Sequence, residues 1–294
     1  MTKVFNEWHW EITRRCNLRC IHCITACGEV LPDEISTKDA FLAIRSMSNL
    51  GCNKLMITGG EPLARKDILA ILKACKNRGM ELGLLTNGFN VNRYTVSGLS
   101  SLLNLIGVSL DGATERTHDI VRGQGSFKKA CRAIYRFSKT LPVSVYITVS
   151  SNNFGEIEAT IKKAVELGAS HIHVTEISIF GRANKNRSIL ALNSDQRKIL
   201  HRIAEKLAKR IESLCKLDLS TVYLSYNGFV YPCSEIAIKK PNEFLASITS
   251  KSCAKDLEVI AKEWIMPELA CCYTVYEGTR IFFCLRTENP CCVS

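Results

Sequence analysis

The sequence predicts an α/β fold, namely an open partial (β/α)6 TIM-type barrel with a small cysteine-rich C-terminal extension. Strand-like and helix-like segments alternate from residue 8 to about residue 177, in six units that each have the length of a βα repeat. Strands that are separated by helices pair in parallel, with right-handed crossovers. Six units are fewer than the eight of a closed barrel, so the residues alone fit an open barrel or a doubly wound sheet. We predict the open barrel.

Hydrophobic periodicity and capping residues set the bounds of each predicted element. Ser36 is placed to cap the first helix, and Gly51 can end it. Gly79 and Gly168 can end two later helices in the same way. The predicted strands are 8–13, 54–58, 80–86, 105–110, 143–149 and 171–177, and the predicted helices are 37–50, 67–78, 93–102, 127–139 and 154–167.

A domain boundary is predicted where this alternation stops. The pattern breaks after Phe180, and we predict a core domain over residues 1–180 and an extension over residues 181–294. In the extension, apolar residues recur at helical spacing over 197–216, and the Lys and Arg residues between them form a solvated face. The pair Asn227-Gly228 is a strong turn signal and predicts a hairpin.

The charge balance and the lengths of the apolar runs indicate which kinds of partner the protein can bind and whether it crosses a membrane. With 39 basic against 28 acidic residues, the formal net charge is +11, which favours an anionic partner such as an acidic peptide or a nucleic acid. No motif that combines basic and aromatic residues stands out, so nucleic-acid binding is not predicted. No run approaches the roughly 20 apolar residues that cross a bilayer, and the N-terminus lacks the apolar core of a signal peptide. We predict a cytoplasmic protein with no membrane segment.

The 15 cysteines are many for a chain of 294 residues. In a secreted protein they would indicate disulfides, but the count is odd and no export signal supports that reading. Reduced thiols that bind metal fit better. Some cysteines lie in or beside helix-like patterns, and we expect these to be small buried hydrophobes, namely Cys52, Cys75 and Cys131.

A triplet of cysteines directly follows the first predicted strand. Three residues separate Cys16 from Cys20, and two separate Cys20 from Cys23, so one loop can turn three sulfurs toward a common centre. Thiolates are the usual ligands of iron–sulfur clusters, and three of them leave one iron of a [4Fe–4S] cluster open for a small molecule. A structural zinc site would need a fourth ligand, which Cys27 or His22 would have to supply.

A second motif, Gly59-Gly60-Glu61-Pro62, ends the second predicted strand. Glycines permit a ligand to approach the backbone closely, and Glu61 supplies a carboxylate. Together the two motifs resemble those of the radical S-adenosylmethionine (radical SAM) superfamily, over about the first 180 residues. The resemblance implies a [4Fe–4S] cluster on the triplet, with S-adenosylmethionine bound to its open iron. It also implies that Glu61 pairs with the methionine ammonium.

The activity that this resemblance implies is radical formation. An external donor, similar to flavodoxin or ferredoxin, supplies one electron to the cluster. Reductive cleavage of S-adenosylmethionine then gives methionine and a 5′-deoxyadenosyl radical, which abstracts hydrogen from a substrate. The cofactor carries this chemistry, and the protein orients it.

Further cofactor contacts are carried over from the resemblance. Ser109, after the fourth strand, is expected to face the ribose and methionine parts of the cofactor. Arg122 is expected to pair with its carboxylate, and the backbone near His22 with its adenine. Asp111 fits either a site residue or a turn former.

The tail begins to resemble the auxiliary-cluster extensions called SPASM and twitch. Cys215, Gly228 and Cys233 keep their opening pattern of a cysteine, a glycine, four residues and a cysteine. The later cysteines are irregular, with adjacent pairs at 271–272 and 291–292. We therefore predict Cys215 and Cys233 as ligands of a second iron–sulfur cluster. The alternatives are buried thiols, or a catalytic thiol, for which we name Cys233, that donates hydrogen to a substrate radical.

The substrate predicted from the resemblance is a ribosomally made peptide, which would gain a thioether or carbon–carbon link or an inverted α-carbon. The alternative is a small molecule, such as an aminoglycoside or a tetrapyrrole precursor. A third alternative is that the protein is not an enzyme, but a non-catalytic module that binds metal or transfers electrons through an iron–sulfur cluster. The motif at 59–62 argues against that reading, because an electron carrier does not need a loop that holds an amino acid.

Overall fold

Six parallel strands, which neighbour one another in chain order, form the centre of the molecule. The computed structural model describes residues 6–208, 214–216, 221–231, 242, 246–247, 270–276 and 279–284. The strands curl into a half-barrel with helices on its outside, which confirms the predicted partial barrel. They are β1 (Glu7–Glu11), β2 (Lys54–Thr58), β3 (Glu81–Thr86), β4 (Leu105–Ser109), β5 (Val143–Val149) and β6 (His171–Glu176).

The helices that connect these strands follow the predicted order with one addition. Ser36 Oγ accepts a hydrogen bond from the Asp39 backbone N–H and so caps the first helix, as predicted. The helix Glu115–Arg122 was not predicted, because its buried side carries His118 and Arg122 and shows no apolar periodicity. The helices are α1 (Thr37–Asn49), α2 (Ile68–Lys76), α3 (Arg93–Ser100), α4 (Glu115–Arg122), α5 (Ser126–Phe137) and α6 (Ile157–Glu166).

The hydrophobic core lies between the strands and the helices. Trp8 and Trp10 on β1 are fully buried in this core. On the opposite, concave face, Gly107 makes room for large neighbours, since a Cβ there would lie 2.8 Å from both Leu85 Cδ1 and Tyr146 Cε2. Leu85 and Tyr146 in turn line a cavity on this face.

The last third of the chain contributes helices and further strands. The helices are α7 (Gly181–Lys185), α8 (Arg187–Leu190) and α9 (Ser194–Ala208). The prediction of one helix over 197–216 was wrong at its end, because residues 214–216 form a strand. The strands are β7 (Leu214–Lys216), β8 (Thr221–Leu224), β9 (Phe229–Tyr231), β10 (Ala246–Ser247), β11 (Ala270–Tyr276) and β12 (Thr279–Cys284).

These late strands extend both edges of the central sheet. β8 pairs in parallel with β1 and forms the predicted hairpin with β9. β12 pairs in parallel with β6 and is followed outward by β11 and β7. In the part of the chain that the structure describes, no helix has the length and apolar character needed to cross a membrane.

Candidate active site

A cavity of about 300 Å3 lies at the carboxyl ends of the core strands. This is the edge at which parallel α/β folds assemble their sites. The cavity brings together most of the site residues predicted in the core domain, but Glu61, Pro62 and Asp111 do not line it. The predicted residues that line it are Cys16, Cys20, His22, Cys23, Gly59, Gly60, Ser109 and Arg122.

Backbone hydrogen bonds hold the cysteine loop in place. Cys16 N–H donates to Gly28 O at 2.7 Å, and Gly28 N–H donates to Arg14 O at 2.9 Å, so the two ends of the loop are joined. Ile21 N–H donates to Val121 O at 2.9 Å, which ties the middle of the loop to α4. The loop is thus positioned by main-chain contacts, and its thiols are left to face the cavity.

The thiols differ in their surroundings. Burial raises the pKa of Cys16, and it raises the pKa of Cys20 to about 11. A hydrogen bond from Cys27, helped by Thr25, holds the pKa of Cys23 well below that of an ordinary thiol, although burial opposes this. Cys27 also lines the cavity, and its Sγ lies 2.9 Å from Thr25 Oγ1.

The zinc alternative finds little support in this arrangement. Among the described residues, no three His, Cys, Asp or Glu side chains gather closely enough to hold one metal ion. Of the two candidate fourth ligands, His22 contacts Asp111, and Cys27 contacts Thr25. Cys27 also hydrogen-bonds to Cys23, but the described residues do not gather into a closed set of four ligands.

The glycine pair runs closely against the chain that leads into the cysteine loop. Gly59 has a φ of +137°, and a Cβ there would lie 2.6 Å from Thr13 O. A Cβ on Gly60 would lie 2.3 Å from Arg15 O, so any larger residue would push the two loops apart. The contact explains why both positions need glycine, and it places this backbone at the cavity wall beside the triplet.

Glu61 lies beneath the cavity wall and is almost fully buried. Its carboxylate accepts hydrogen bonds from Leu63 N at 3.1 Å, Thr86 Oγ1 at 2.8 Å and Asn87 N at 2.8 Å, which join the ends of β2 and β3. Burial raises its pKa. Pro62 is also buried and begins a short 3-10 turn, Pro62–Ala64. Neither residue lines the cavity, so the contact of Glu61 with a methionine ammonium stays a prediction.

Asp111 is the centre of a buried polar cluster at the cavity wall. Arg122 Nε donates to Asp111 Oδ2 at 2.5 Å, and His22 Nε2 lies 3.4 Å from the same oxygen. Thr148 N–H donates to Asp111 Oδ1 at 2.8 Å. Burial alone would raise the pKa of Asp111, but Arg122 outweighs it, with help from His22 and His118, and the pKa is lowered. Asp111 is thus an ionised anchor for two residues that line the cavity.

The residues present fit the cluster and cofactor that the superfamily implies. Three thiols are the donor set of an iron–sulfur cluster with one open iron. The glycine backbone leaves a wall that no side chain fills, and Arg122 adds a cation. His22 has a buried Nδ1 with no hydrogen-bond partner in the described chain, and burial lowers its pKa to about 4, so a neutral imidazole edge is left for a ligand.

Arg182 at the start of α7 is a site residue that the sequence analysis missed. Its Nε donates to Cys20 O at 2.8 Å, and its Nη1 donates to Cys27 O at 2.8 Å. Gly181 has a φ of +54°, and a Cβ there would lie 2.3 Å from Ile24 O. These contacts join residues on the two sides of the domain boundary predicted between residues 180 and 181. The boundary itself stays a prediction. Arg182 stands in the polar stretch that follows β6, and nothing in its sequence neighbours indicates that it binds the cysteine loop.

Of the two tail cysteines predicted as cluster ligands, the structure describes the backbone of Cys215. Cys215 lies on β7, opposite Cys271 of β11, at the outer edge of the sheet beyond β12. Cys233 lies outside the described residues. A second cluster and a hydrogen-donating tail thiol therefore both stay predictions.

Comparison with known proteins supports one family. Residues 10–164 match the sequence profile described as the Radical SAM superfamily. The AdoMet-dependent heme synthase of Methanosarcina barkeri is 34% identical over 196 residues, which are 65% of this chain and 56% of that protein. Mycofactocin maturase MftC of Mycobacterium ulcerans is 30% identical over 176 residues, 59% of this chain and 47% of that protein. The chain spans about half the length of these curated relatives.

Solved structures share the fold at low sequence identity. Streptococcus suis SuiB bound to S-adenosylmethionine superposes with a TM-score of 0.69 at 17% identity, over 86% of this chain and 65% of that one. The enzyme anSMEcpe with bound AdoMet and a peptide gives a TM-score of 0.66 at 17% identity, over 86% and 79% of the two chains. Because the superfamily profile covers more than half of the sequence and its two motifs meet at one cavity, the chain belongs to the radical SAM superfamily of enzymes.

Proposed function

We propose that this protein binds a [4Fe–4S] cluster through Cys16, Cys20 and Cys23 and cleaves S-adenosylmethionine reductively in the adjoining cavity. The observation that carries the proposal is that the three cysteines, the glycine pair and Arg122 line one cavity. When bound, the cluster would supply the electron that breaks the sulfonium carbon–sulfur bond and leaves a 5′-deoxyadenosyl radical to take hydrogen from a substrate.

The protein's own part in this proposal is to bind and to orient. The Gly59 and Gly60 backbone offers a wall that a methionine moiety can approach closely. Arg122, held through Nε by Asp111, presents its charge to the methionine carboxylate. Ser109, at the end of β4, also lines the cavity and contributes a hydroxyl for the ribose. Glu61 accepts hydrogen bonds from Thr86 and Asn87, and these bonds fix the loop that carries the two glycines.

The substrate that we propose is a ribosomally made peptide, on which the enzyme would form a thioether or carbon–carbon link or invert an α-carbon. Relatives with the names mycofactocin maturase and PqqA peptide cyclase, and the structure of SuiB bound to its precursor peptide SuiA, support this choice. A small-molecule substrate such as a tetrapyrrole is the second candidate, because a heme synthase reaches 34% identity. We also propose a cytoplasmic location, because the cytoplasm keeps thiols reduced.

The decisive test is cofactor cleavage. Protein reconstituted anaerobically with iron and sulfide should form 5′-deoxyadenosine from S-adenosylmethionine when dithionite is added. A non-catalytic electron carrier would hold the cluster and form none, so the assay separates the two classes. Incubation with candidate peptides and with porphyrin precursors then distinguishes the substrates, since only a true substrate should take deuterium from, or give it to, the 5′ position of the product.

A further inference from the structure

Asn87, directly after β3, is a buried residue of the cavity wall whose side chain has no role in the proposed function. Its backbone N–H donates to Glu61 Oε2 at 2.8 Å, and this bond fixes the main chain at the end of the strand. The Asn87 side chain therefore starts from a well-held point beside the cysteine loop.

Both polar atoms of the Asn87 side chain form hydrogen bonds. Asn87 Oδ1 accepts from Phe89 N–H at 2.9 Å, which is the contact of an Asn turn. Because the amide oxygen is bound there, the amide nitrogen has to point the other way. Asn87 Nδ2 donates to Asn17 Oδ1 at 2.9 Å and to Cys16 Sγ at 3.9 Å. The two N–H groups of the amide are thus both directed at the cysteine loop.

The Cys16 sulfur differs from the Cys20 sulfur in the groups that face it. Cys16 Sγ accepts from Leu18 N–H at 3.5 Å and from the Asn87 amide, which lies 71 positions away in the chain. Cys20 Sγ lies 3.8 Å from the carbonyl oxygen of Arg122, which can only accept a hydrogen bond. Of these two predicted cluster ligands, Cys16 is therefore the one that a side-chain N–H group reaches.

Hydrogen bonds to a ligand sulfur change how readily an iron–sulfur cluster is reduced. An N–H donor stabilises negative charge on the sulfur, and a reduced cluster carries one negative charge more than an oxidised one. The donor therefore favours the reduced form and raises the reduction potential. In the proposed function, cleavage of S-adenosylmethionine starts from the reduced form.

We propose that Asn87 is a positioning residue that raises the reduction potential of the cluster through its hydrogen bond to Cys16. The proposal rests on the proposed function, because it requires a cluster on the cysteine triplet. One electron enters the cluster from a chemical reductant, and no bond breaks and no proton moves at Asn87.

Two other roles for the Asn87 side chain are less well supported. A direct contact with the cofactor would need a free donor, but both N–H groups of the amide already have acceptors. A purely local role in the turn would use only the oxygen that accepts from Phe89 N–H. Asp would keep that oxygen and lose the N–H groups, so an Asp variant separates the turn from the sulfur contact.

The test is a potentiometric titration of the reconstituted holoenzyme, in which EPR follows the reduced cluster. Asn87→Ala should make reduction about tenfold less favourable, a shift of about 59 mV to more negative potential for one electron. Asn87→Asp should shift the potential in the same direction and at least as far, because its carboxylate is charged at neutral pH. Asn104→Ala and Asn104→Asp make the same changes directly before β4, at the opposite end of the sheet, and should leave the potential unchanged.

A second measurement does not depend on whether the Asn87 variants assemble a cluster. In wild-type protein whose asparagine side chains carry ¹⁵N, pulsed EPR of the reduced cluster should detect coupling to a ¹⁵N nucleus. Asn17→Asp removes the amide nitrogen beside Cys16 but keeps an oxygen that can accept from Asn87, so the coupling should persist. In Asn87→Asp it should disappear.

The outcomes separate this inference from the proposed function. Wild-type protein that forms no 5′-deoxyadenosine with dithionite would contradict the proposed function, whereas the potential and the ¹⁵N coupling of its cluster decide the role of Asn87. That role is wrong if the Asn87 variants have the same potential as the Asn104 variants. It is also wrong if Asn87→Asp keeps the wild-type potential that Asn87→Ala loses, or if the wild-type cluster shows no ¹⁵N coupling.

Discussion

At the scale of single residues, Asp111 joins His22 of the cysteine loop to Arg122 of α4 without lining the cavity itself. It is completely buried, and it holds Arg122 and His22, which both line the cavity. A buried charge that loses its partner is strongly destabilising, whereas a pair that is lost together costs less. The pair of Asp111 and Arg122 should therefore behave as one unit.

We expect Asp111→Asn to lower the free energy of unfolding by about 3 kcal/mol, because Arg122 is left buried with no counter-charge. Affinity for S-adenosylmethionine should fall as well, since the guanidinium is no longer held at the cavity, while iron content stays at the wild-type level. Urea unfolding and equilibrium binding measure the two effects. In an Arg122→Gln background the same change should cost much less, and equal costs in both backgrounds would show that the two side chains are not coupled.

Glu61 offers a second prediction at this scale. Glu61→Gln should keep the cluster but weaken cofactor binding roughly tenfold to a hundredfold, the worth of a charge-assisted hydrogen bond of about 1.5–3 kcal/mol. The Thr86→Val variant removes one hydrogen bond to the carboxylate and leaves its charge, so it serves as the control. If both variants lose stability but retain full cofactor affinity, Glu61 only joins β2 to β3.

At the scale of elements, the cysteine loop is a unit that depends on its neighbours. The loop receives hydrogen bonds from Arg182 at the start of α7, and it donates one to the end of α4. Within the core domain, we expect iron to bind only to the thiols of Cys16, Cys20 and Cys23.

Replacing Cys16, Cys20 and Cys23 together by Ala should remove about four irons per chain, one [4Fe–4S] unit, and abolish 5′-deoxyadenosine formation. Replacing Cys75 and Cys131, on α2 and α5, removes thiols elsewhere in the core domain and should change neither quantity. Iron assays and product chromatography suffice for this comparison. Cofactor cleavage that persists in the triple variant would refute the assignment of the site.

Iron content separates the two predicted roles of the tail cysteines, namely ligands of a second cluster and a hydrogen-donating thiol. If Cys215 and Cys233 bind a second cluster, wild-type protein should hold about eight irons, and the triplet-to-Ala variant should keep about four. The two clusters would assemble independently, since β7 lies at the outer edge of the sheet and the triplet follows β1. If a tail thiol donates hydrogen instead, the triplet variant should hold no iron, and Cys233→Ala should leave cofactor cleavage intact while it diverts the substrate radical.

At the scale of the whole molecule, buried imidazoles make the free energy of unfolding depend on pH. His118 is fully buried, with its Nδ1 accepting from Asp111 N–H. Burial, together with the charge of Arg122, lowers its pKa from the ordinary value of 6.5 to about 4. Between these values the unfolded chain binds a proton that the folded protein does not, so this contribution is complete above pH 6.5 and is lost as the pH falls toward 4.

The expected loss for His118 is about 3 kcal/mol over that window. Urea unfolding of the cluster-free protein at a series of pH values should therefore show a shallower decline for His118→Gln than for wild type. An NMR titration of the His118 ring checks the cause directly. Parallel pH profiles for the two proteins would mean that His118 titrates normally in the folded state.

The sequence by itself determined those features that depend on neighbours along the chain. Alternating periodicities placed all six core strands within two residues of their observed bounds, because strands and helices bury apolar residues with different repeats. Cysteine spacing and the glycine pair identified the superfamily, since a compact loop and a close backbone approach need those residue types locally. The polar helix α4 escaped this reasoning because its buried side carries charge.

Only the tertiary structure decided which distant residues meet. Arg182 binds the carbonyl of Cys20 across 162 positions of the chain, and Asp111 gathers Arg122 and His22. Glu61 is turned beneath the cavity by donors on β3, and β8 and β12 add to opposite edges of the sheet. None of these contacts leaves a periodic or spaced signal in the sequence, because each is set by the order in which strands pair and not by local preference.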